Sequence, residues 1–231
     1  SAGLRDMDAI LGRDDKLVAK LADAVTKLDA KFAAIIGTPV PAVIGTDYHA
    51  LKRMTEKKVD LPIMTVDTDG MALYDEGEEK AWMELFLTFA GQKEEVVKDR
   101  IGILGMTPQD VSDLHAADRI REHFAKQGKP AVCYGMGNGL DDVKSVSNVE
   151  KNIVVSPAAI KAAQYLERTY GTPYEMGYPL VDELVCDMDY HGKKILIVQQ
   201  QVIGCAIREE ILKKAPDAQV TVASWFMMKP E

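Results

Sequence analysis

A chain of 231 residues with 47% hydrophobic side chains can bury a substantial core, as one large domain or two small ones. Its formal net charge of −8 disfavours a phosphate-tracking surface, so nucleic acid is not an expected partner. No run approaches the roughly 20 apolar residues of a membrane span and no basic-then-apolar leader pattern is present, so no membrane association is expected and the cytoplasm is the expected location.

In chain order, Leu17, Leu21, Ala24, Val25 and Leu28 recur at helical spacing between about Asp14 and Lys31, and Phe32 to Ile36 follows as a short apolar strand. A helix is predicted from near Gly45 to about Lys57. Leu61 to Val66 is the next strand, with Pro62 tolerable at its start or at a sheet edge, and Asp67 to Gly70 is a turn. Trp82, Leu85, Phe86 and Phe89 give an amphipathic helix from Glu76 to about Gly91, with acidic residues where the helix dipole favours them. Arg100 to Gly105 is a strand. Thr107-Pro108-Gln109-Asp110 is a capping sequence, Thr107 at the N-cap and Pro108 at N1, for one helix reaching about Gln127. Gly128 stops it, Ala131 to Tyr134 is a strand, and the loop of Gly135, Gly137 and Gly139 leads into a short helix near Asp141. After the strand Asn152 to Val155, Ser156-Pro157 caps a helix running to Gly171. Thr172 to Pro179 reads as a loop. The strand Lys194 to Val198, the helix Cys205 to Lys214 and the strand Gln219 to Trp225 complete the series.

The alternation of the two periods predicts an α/β fold of Rossmann-like units, parallel sheets with helices on both faces. The expected division is a first unit over 1–97, a second over 98–190 and the start of a third over 191–231. That last unit supplies only two strands, and the chain lacks a starting Met, so a truncated piece of a longer protein is expected.

Cys133, Cys186 and Cys205 are odd in number and widely spaced, so reduced thiols are expected rather than a disulfide framework. No CxxC pair exists, and an all-thiolate iron–sulfur cluster would need four cysteines, so a cluster or metallocofactor could be held only with ligands from partners or missing segments. His49, His115, His123 and His191 show no zinc spacing; His115 and His123, eight apart on one predicted helix, read as surface or boundary residues.

The segment Gly37-Thr38-Pro39-Val40-Pro41-Ala42-Val43-Ile44-Gly45-Thr46-Asp47 resembles the Ser-Thr-Cys-Val-Pro-Glu-Leu-Ile-Gly-Asp-Asp element of the nitrogenase component 1 family. Further similar motifs follow in the family's order. They are Ile101 to Gly105, Gly139 to Val143, Asn152 to Ser156, the run Tyr165-Leu166-Glu167-Arg168-Thr169-Tyr170-Gly171-Thr172-Pro173-Tyr174, and His191 to Ile197. The resemblance implies a three-domain Rossmann-like arrangement, a homo- or hetero-oligomer of related subunits, and an ATP-dependent iron protein as electron donor. It also implies two departures. Pro39 stands where the family's cluster-ligating cysteine would be, and proline offers neither a side-chain donor nor an N–H. Ser156 stands where a cofactor-ligating cysteine follows the strand in nitrogenase itself, and a serine before Pro157 is explained as a helix cap.

Several residues are candidates for binding. Thr38, Gly45, Thr46 and Asp47 could wall a pocket at a helix N-terminus, and Asp47 could equally be a first-turn dipole partner. Cys133, at a strand end before the glycine loop, reads as a ligand or reactive thiol, or as a buried structural cysteine. The glycine loop lacks GxGxxG spacing, and Asp141 and Asp142 would repel a pyrophosphate. Gln200, within Gln199-Gln200-Gln201 at a strand end, could meet a ligand or a neighbouring domain. Cys205 is expected in the first turns of the helix behind it, and Asp67, Thr68 and Asp69 are further polar candidates. Two functions follow: a component 1-like oxidoreductase subunit reducing at a site shared with partner chains, or a cluster-free scaffold or binding protein for a metallocofactor, a tetrapyrrole or a partner subunit.

Overall fold

A computed structural model describes residues 14–229. These residues fall into two compact units, one up to Thr88 and one from Phe89.

In the first unit, α1 (Asp14–Val25) precedes β1 (Ala33–Ile36), followed by the short helix α2 (Pro39–Val43), α3 (Tyr48–Glu56), β2 (Ile63–Val66) and α4 (Tyr74–Phe89), which runs into the second unit. β1 and β2 pair in parallel, Ala33 opposite Ile63 and Ile36 opposite Val66. Val18, Tyr48 and Leu51 form the buried centre, with Leu17 and Ile35 against it. Along α4, Trp82 stacks on Phe86 at 6.1 Å between ring centroids, and its indole N–H donates to Glu78 Oε1 at 2.9 Å, which satisfies the polar handle of a buried tryptophan.

The second unit carries β3 (Ile101–Leu104), α5 (Pro108–Val111), α6 (Ala116–Ala125), β4 (Ala131–Cys133), α7 (Leu140–Lys144), β5 (Lys151–Val154), α8 (Ile160–Tyr170), β6 (Tyr174–Met176), β7 (Lys194–Val198), α9 (Gln201–Lys214) and β8 (Gln219–Ala223). Four strands form one parallel sheet in the order β4-β3-β5-β6. β7 and β8 form a separate parallel pair. β3 is buried at every position, as expected of a central parallel strand covered on both faces. Ile101, Ile103, Cys133, Ile153 and Val155 pack with Ile120 and Phe124 of α6 and with Ile203 of α9. Farther along α9, Ile211 packs with Val185, Tyr190, Ala215 and Ala218 beneath β7 and β8, so this helix is shared by two adjoining cores.

The α/β class with parallel sheets is borne out, and four local expectations are corrected. A short helix occupies Pro39–Val43, because Pro39 falls at N1, where a missing N–H costs nothing. The single helix expected from Thr107 to Gln127 is two, broken where Ser112 takes a left-handed φ of 54°. His115 therefore precedes the second helix as its N-cap, and only His123 lies within it. The loop after Gly171 contains β6, an edge strand whose pairing with β5 needs no apolar alternation. α9 begins at Gln201, one turn earlier than expected, which places Cys205 in its second turn.

Candidate functional site

In the four-stranded sheet, β3 and β5 lie side by side; the connection leaving β3 runs to one side, to β4, and the connection leaving β5 runs to the other, to β6. The crevice at the carboxyl ends of β3 and β5 is where an open α/β sheet accepts a ligand. Two loops meet there. Gly105 follows β3 with φ at +84°, and a Cβ on it would lie 2.9 Å from Ser156 Cβ and 3.0 Å from Ala159 Cβ. Glycine is what lets the backbones approach this closely.

The crevice is closed by its own polar groups. Ser156, 1% exposed, donates its hydroxyl to Asp110 Oδ1 at 3.1 Å and accepts from the Ala158 N–H at 3.4 Å. The second Asp110 oxygen accepts from the Thr107 hydroxyl, and Thr107 caps α5 by accepting from the Asp110 N–H. Gln200, also 1% exposed, donates its amide to the Val155 carbonyl, while its Oε1 accepts from the Val202 N–H at 2.8 Å and caps α9. Both ends of the Gln200 amide are thus bonded within the chain. The sequence marks Asp110 only by its place in the capping run. Its position three residues after Thr107 is the capping-box position, the one local signal that its carboxylate turns back toward the loop.

Beside this crevice, Cys133 is fully buried, its thiol directed at the Ala117 carbonyl at 3.7 Å. Burial pushes the thiol up to about 11, which keeps it protonated at neutral pH. The glycine loop is held by Asn138. Its Oδ1 accepts from the Cys133 N–H and from Arg121, each at 3.0 Å, and its Nδ2 donates to Asp142 Oδ2 at 3.1 Å. Arg121 lies across Gly137, where a Cβ would come within 2.8 Å of its guanidinium.

The other candidates lie in the first unit. Thr38 is the exposed, extended N-cap of α2 and makes no side-chain cap bond. Pro39 packs against Gly70, which takes a φ of +69°. Gly45 turns at +67° with open space around it, Thr46 is half-buried, and Asp47 caps α3 by accepting from the Ala50 N–H at 2.9 Å. That bond holds the Asp47 carboxyl below its usual range. Its carboxylate thus fills the helix terminus where an external anion would sit. Thr68 donates its hydroxyl to the Gly37 carbonyl at 2.8 Å, tying the β1 and β2 loops together. The structure therefore gathers Thr38, Gly45, Thr46 and Asp47 in one unit and Cys133 and Gln200 in the other.

These residues do not fit an iron–sulfur cluster or a metallocofactor as ligands. Pro39 has no donor, the Ser156 hydroxyl is engaged with Asp110 and Ala158, and Cys133 is a neutral buried thiol. Among the described residues no group of three or more His, Cys, Asp or Glu side chains is placed to hold a metal.

The sequence model of the family described as "Nitrogenase component 1 type Oxidoreductase" matches residues 1–182. The nitrogenase iron-molybdenum cofactor biosynthesis protein NifE of Clostridium pasteurianum is 26% identical over 180 residues, 75% of this chain and 38% of that protein. Two solved chains of nitrogenase Cp1 are similar in fold. The one at pH 5 has a TM-score of 0.73 and 17% identity, covering 99% of this chain and 54% of that one. The one at pH 6.5 has a TM-score of 0.67 and 11% identity, covering 96% and 66%. The chain thus spans between about a third and two thirds of the length of these relatives.

Proposed function

Because the chain belongs to the nitrogenase component 1 type oxidoreductase family, we propose that it is a component 1-type scaffold or binding subunit, holding a metallocofactor, a tetrapyrrole or a related subunit without ligating a cluster itself. The observation that carries this reading is Ser156. At the carboxyl end of β5 its oxygen is buried and committed to Asp110 and Ala158. A metal ion there would displace the Asp110 bond and leave a buried carboxylate oxygen without its donor, a costly exchange. Similarity to a protein named for cofactor biosynthesis points the same way.

In this reading Cys133 and Gln200 keep the crevice in shape, and the Thr38–Asp47 segment is a contact surface. Val40 and Val43 of α2 and Ile44 just after it, exposed at 50%, 78% and 43%, suit contact with a related subunit in a homo- or hetero-oligomer. The family description favours a second reading, an oxidoreductase subunit; the motif resemblance implies an ATP-dependent iron protein as its electron donor. That reading requires partner chains to supply the cluster ligands.

Anaerobic reconstitution of the purified chain with iron and sulfide, followed by iron and acid-labile sulfide analysis, tests the proposal. The expected result is no stoichiometric cluster on the chain alone. A stoichiometric cluster that survives desalting overturns it.

A further inference from the structure

After β8 the chain turns back toward α9. The carbonyl of Ala223, the last residue of β8, accepts from the Gln199 N–H at 3.1 Å, which sets the end of the strand beside the start of α9. The Ser224 hydroxyl oxygen then accepts from the Phe226 N–H at 3.1 Å, the local bond with which a serine shapes a turn. Three residues farther on, the chain is back at the helix. The Lys229 N–H donates to Gln201 Oε1 and the Gln201 amide donates to the Lys229 carbonyl, each at 2.6 Å. Residues 224–228 thus form a loop whose two ends are fixed close together, one at Gln199 and the other at Gln201.

The loop is held differently from the strands it follows. Its large apolar side chains turn outward, with Trp225, Phe226 and Met228 exposed at 83%, 42% and 52%. The bond pair at its far end joins it to one side chain, Gln201, which is 7% exposed beneath it. A segment that buries little apolar surface opens at a fraction of the free energy needed to unfold a sheet. Gln201 also adjoins Gln200, whose amide reaches the Val155 carbonyl just beyond β5. The loop therefore sits beside the crevice at the carboxyl ends of the strands.

We propose that residues 224–229 are a lid over the N-terminus of α9, latched by the Gln201 amide. When the lid is closed, the Lys229 backbone takes both the donor and the acceptor of that amide. When it is open, the amide is released to solvent next to Gln200, while β7 and β8 stay paired.

The test is amide hydrogen exchange, read by NMR on the full chain labelled with nitrogen-15. In the native chain the Lys229 amide should exchange through an opening that low urea does not promote, whereas the bonded amides of β7 and β8 should speed up as urea is added. In Gln201→Ala the Lys229 amide should exchange about tenfold faster or more, since both latch bonds are gone, with protection in β7 and β8 unchanged. An unchanged Lys229 rate in Gln201→Ala overturns the proposal. So does an equal loss of protection along β7 and β8, which would make the contact a brace of the sheet. Should Gln201→Ala fail to fold, the native chain decides, and a Lys229 amide that opens only together with β7 and β8 overturns the lid.

Discussion

Ser156 and Asp110 are 46 positions apart in the chain and share one buried hydrogen bond. Replacing Ser156 with Ala removes the donor and leaves a carboxylate oxygen short of a partner, so a loss of about 1–3 kcal/mol is expected in urea unfolding. Ser156→Thr, which keeps a hydroxyl, should recover part of the loss if the added methyl fits against Gly105. The capping role of Ser156 was legible in the sequence, because Ser-Pro at a strand-to-helix turn is a local signal. Its bond to Asp110 was not, because only the adjacency of β3 and β5 brings the two loops together. Cys133 offers a second check at this scale. Its thiol is held up to about 11 by burial, whereas Cys186 is exposed. At pH 8 iodoacetamide should label Cys186 in the native chain and leave Cys133 unmodified, as read by peptide mass spectrometry. Cys133 should react only in denaturant or as the pH approaches its own titration.

Helix starts are where side chains determine the elements most directly. Asp47 caps α3, and its carboxyl is lowered mainly by the Ala50 N–H. Asp69 is lowered mainly by the Ala72 N–H, and Asp217 mainly by its hydrogen bond with His191. A carboxyl whose folded-state pKa lies below its unfolded value stabilises the fold above about pH 4, and that contribution is lost as the pH falls through the folded value. Thermal melts should therefore weaken below about pH 4, and Asp47→Asn should show a shallower decline over that window. Gln200 has the corresponding role for α9, capping it while donating to Val155. Gln200→Leu keeps the volume but drops both bonds, and about 1–3 kcal/mol of stability should be lost in the same urea titration. The sequence identified β1 to β5, β7 and β8 through their apolar runs. It missed α2, because two prolines within Pro39–Val43 argue against a helix unless the first sits at N1. It missed β6 because Tyr174, Glu175 and Met176 do not alternate in hydrophobicity, and their extended form comes from pairing with β5. The break at Ser112 has no glycine or proline to announce it.

Within the second unit, the β7–β8 pair is covered unevenly. Ile195 and Ile197 face the α9 side, while Leu196 and Val198 are 64% and 51% exposed. Parallel sheets are ordinarily buried on both faces, and apolar surface of this kind favours association. In sedimentation velocity the chain alone should show concentration-dependent self-association. The double variant Leu196→Lys with Val198→Lys should reduce it while shifting the unfolding free energy by no more than about 0.5 kcal/mol, as surface changes usually do. Family membership was legible from motif order across the chain, since each short motif alone occurs in many α/β proteins.

The strand order β4-β3-β5-β6 also bears on how the chain is made. β3, buried along its whole length, leaves the ribosome before either of its neighbours. β4 follows about 30 residues later and β5 about 50, so at ~5–20 residues per second β3 waits for a few seconds before it can pair on both sides. During that interval Ile101, Ile103 and Leu104 are an unsheltered apolar segment with free edges. Nascent chains of this protein should therefore engage chaperones most strongly once β3 has emerged, and release them once β5 has.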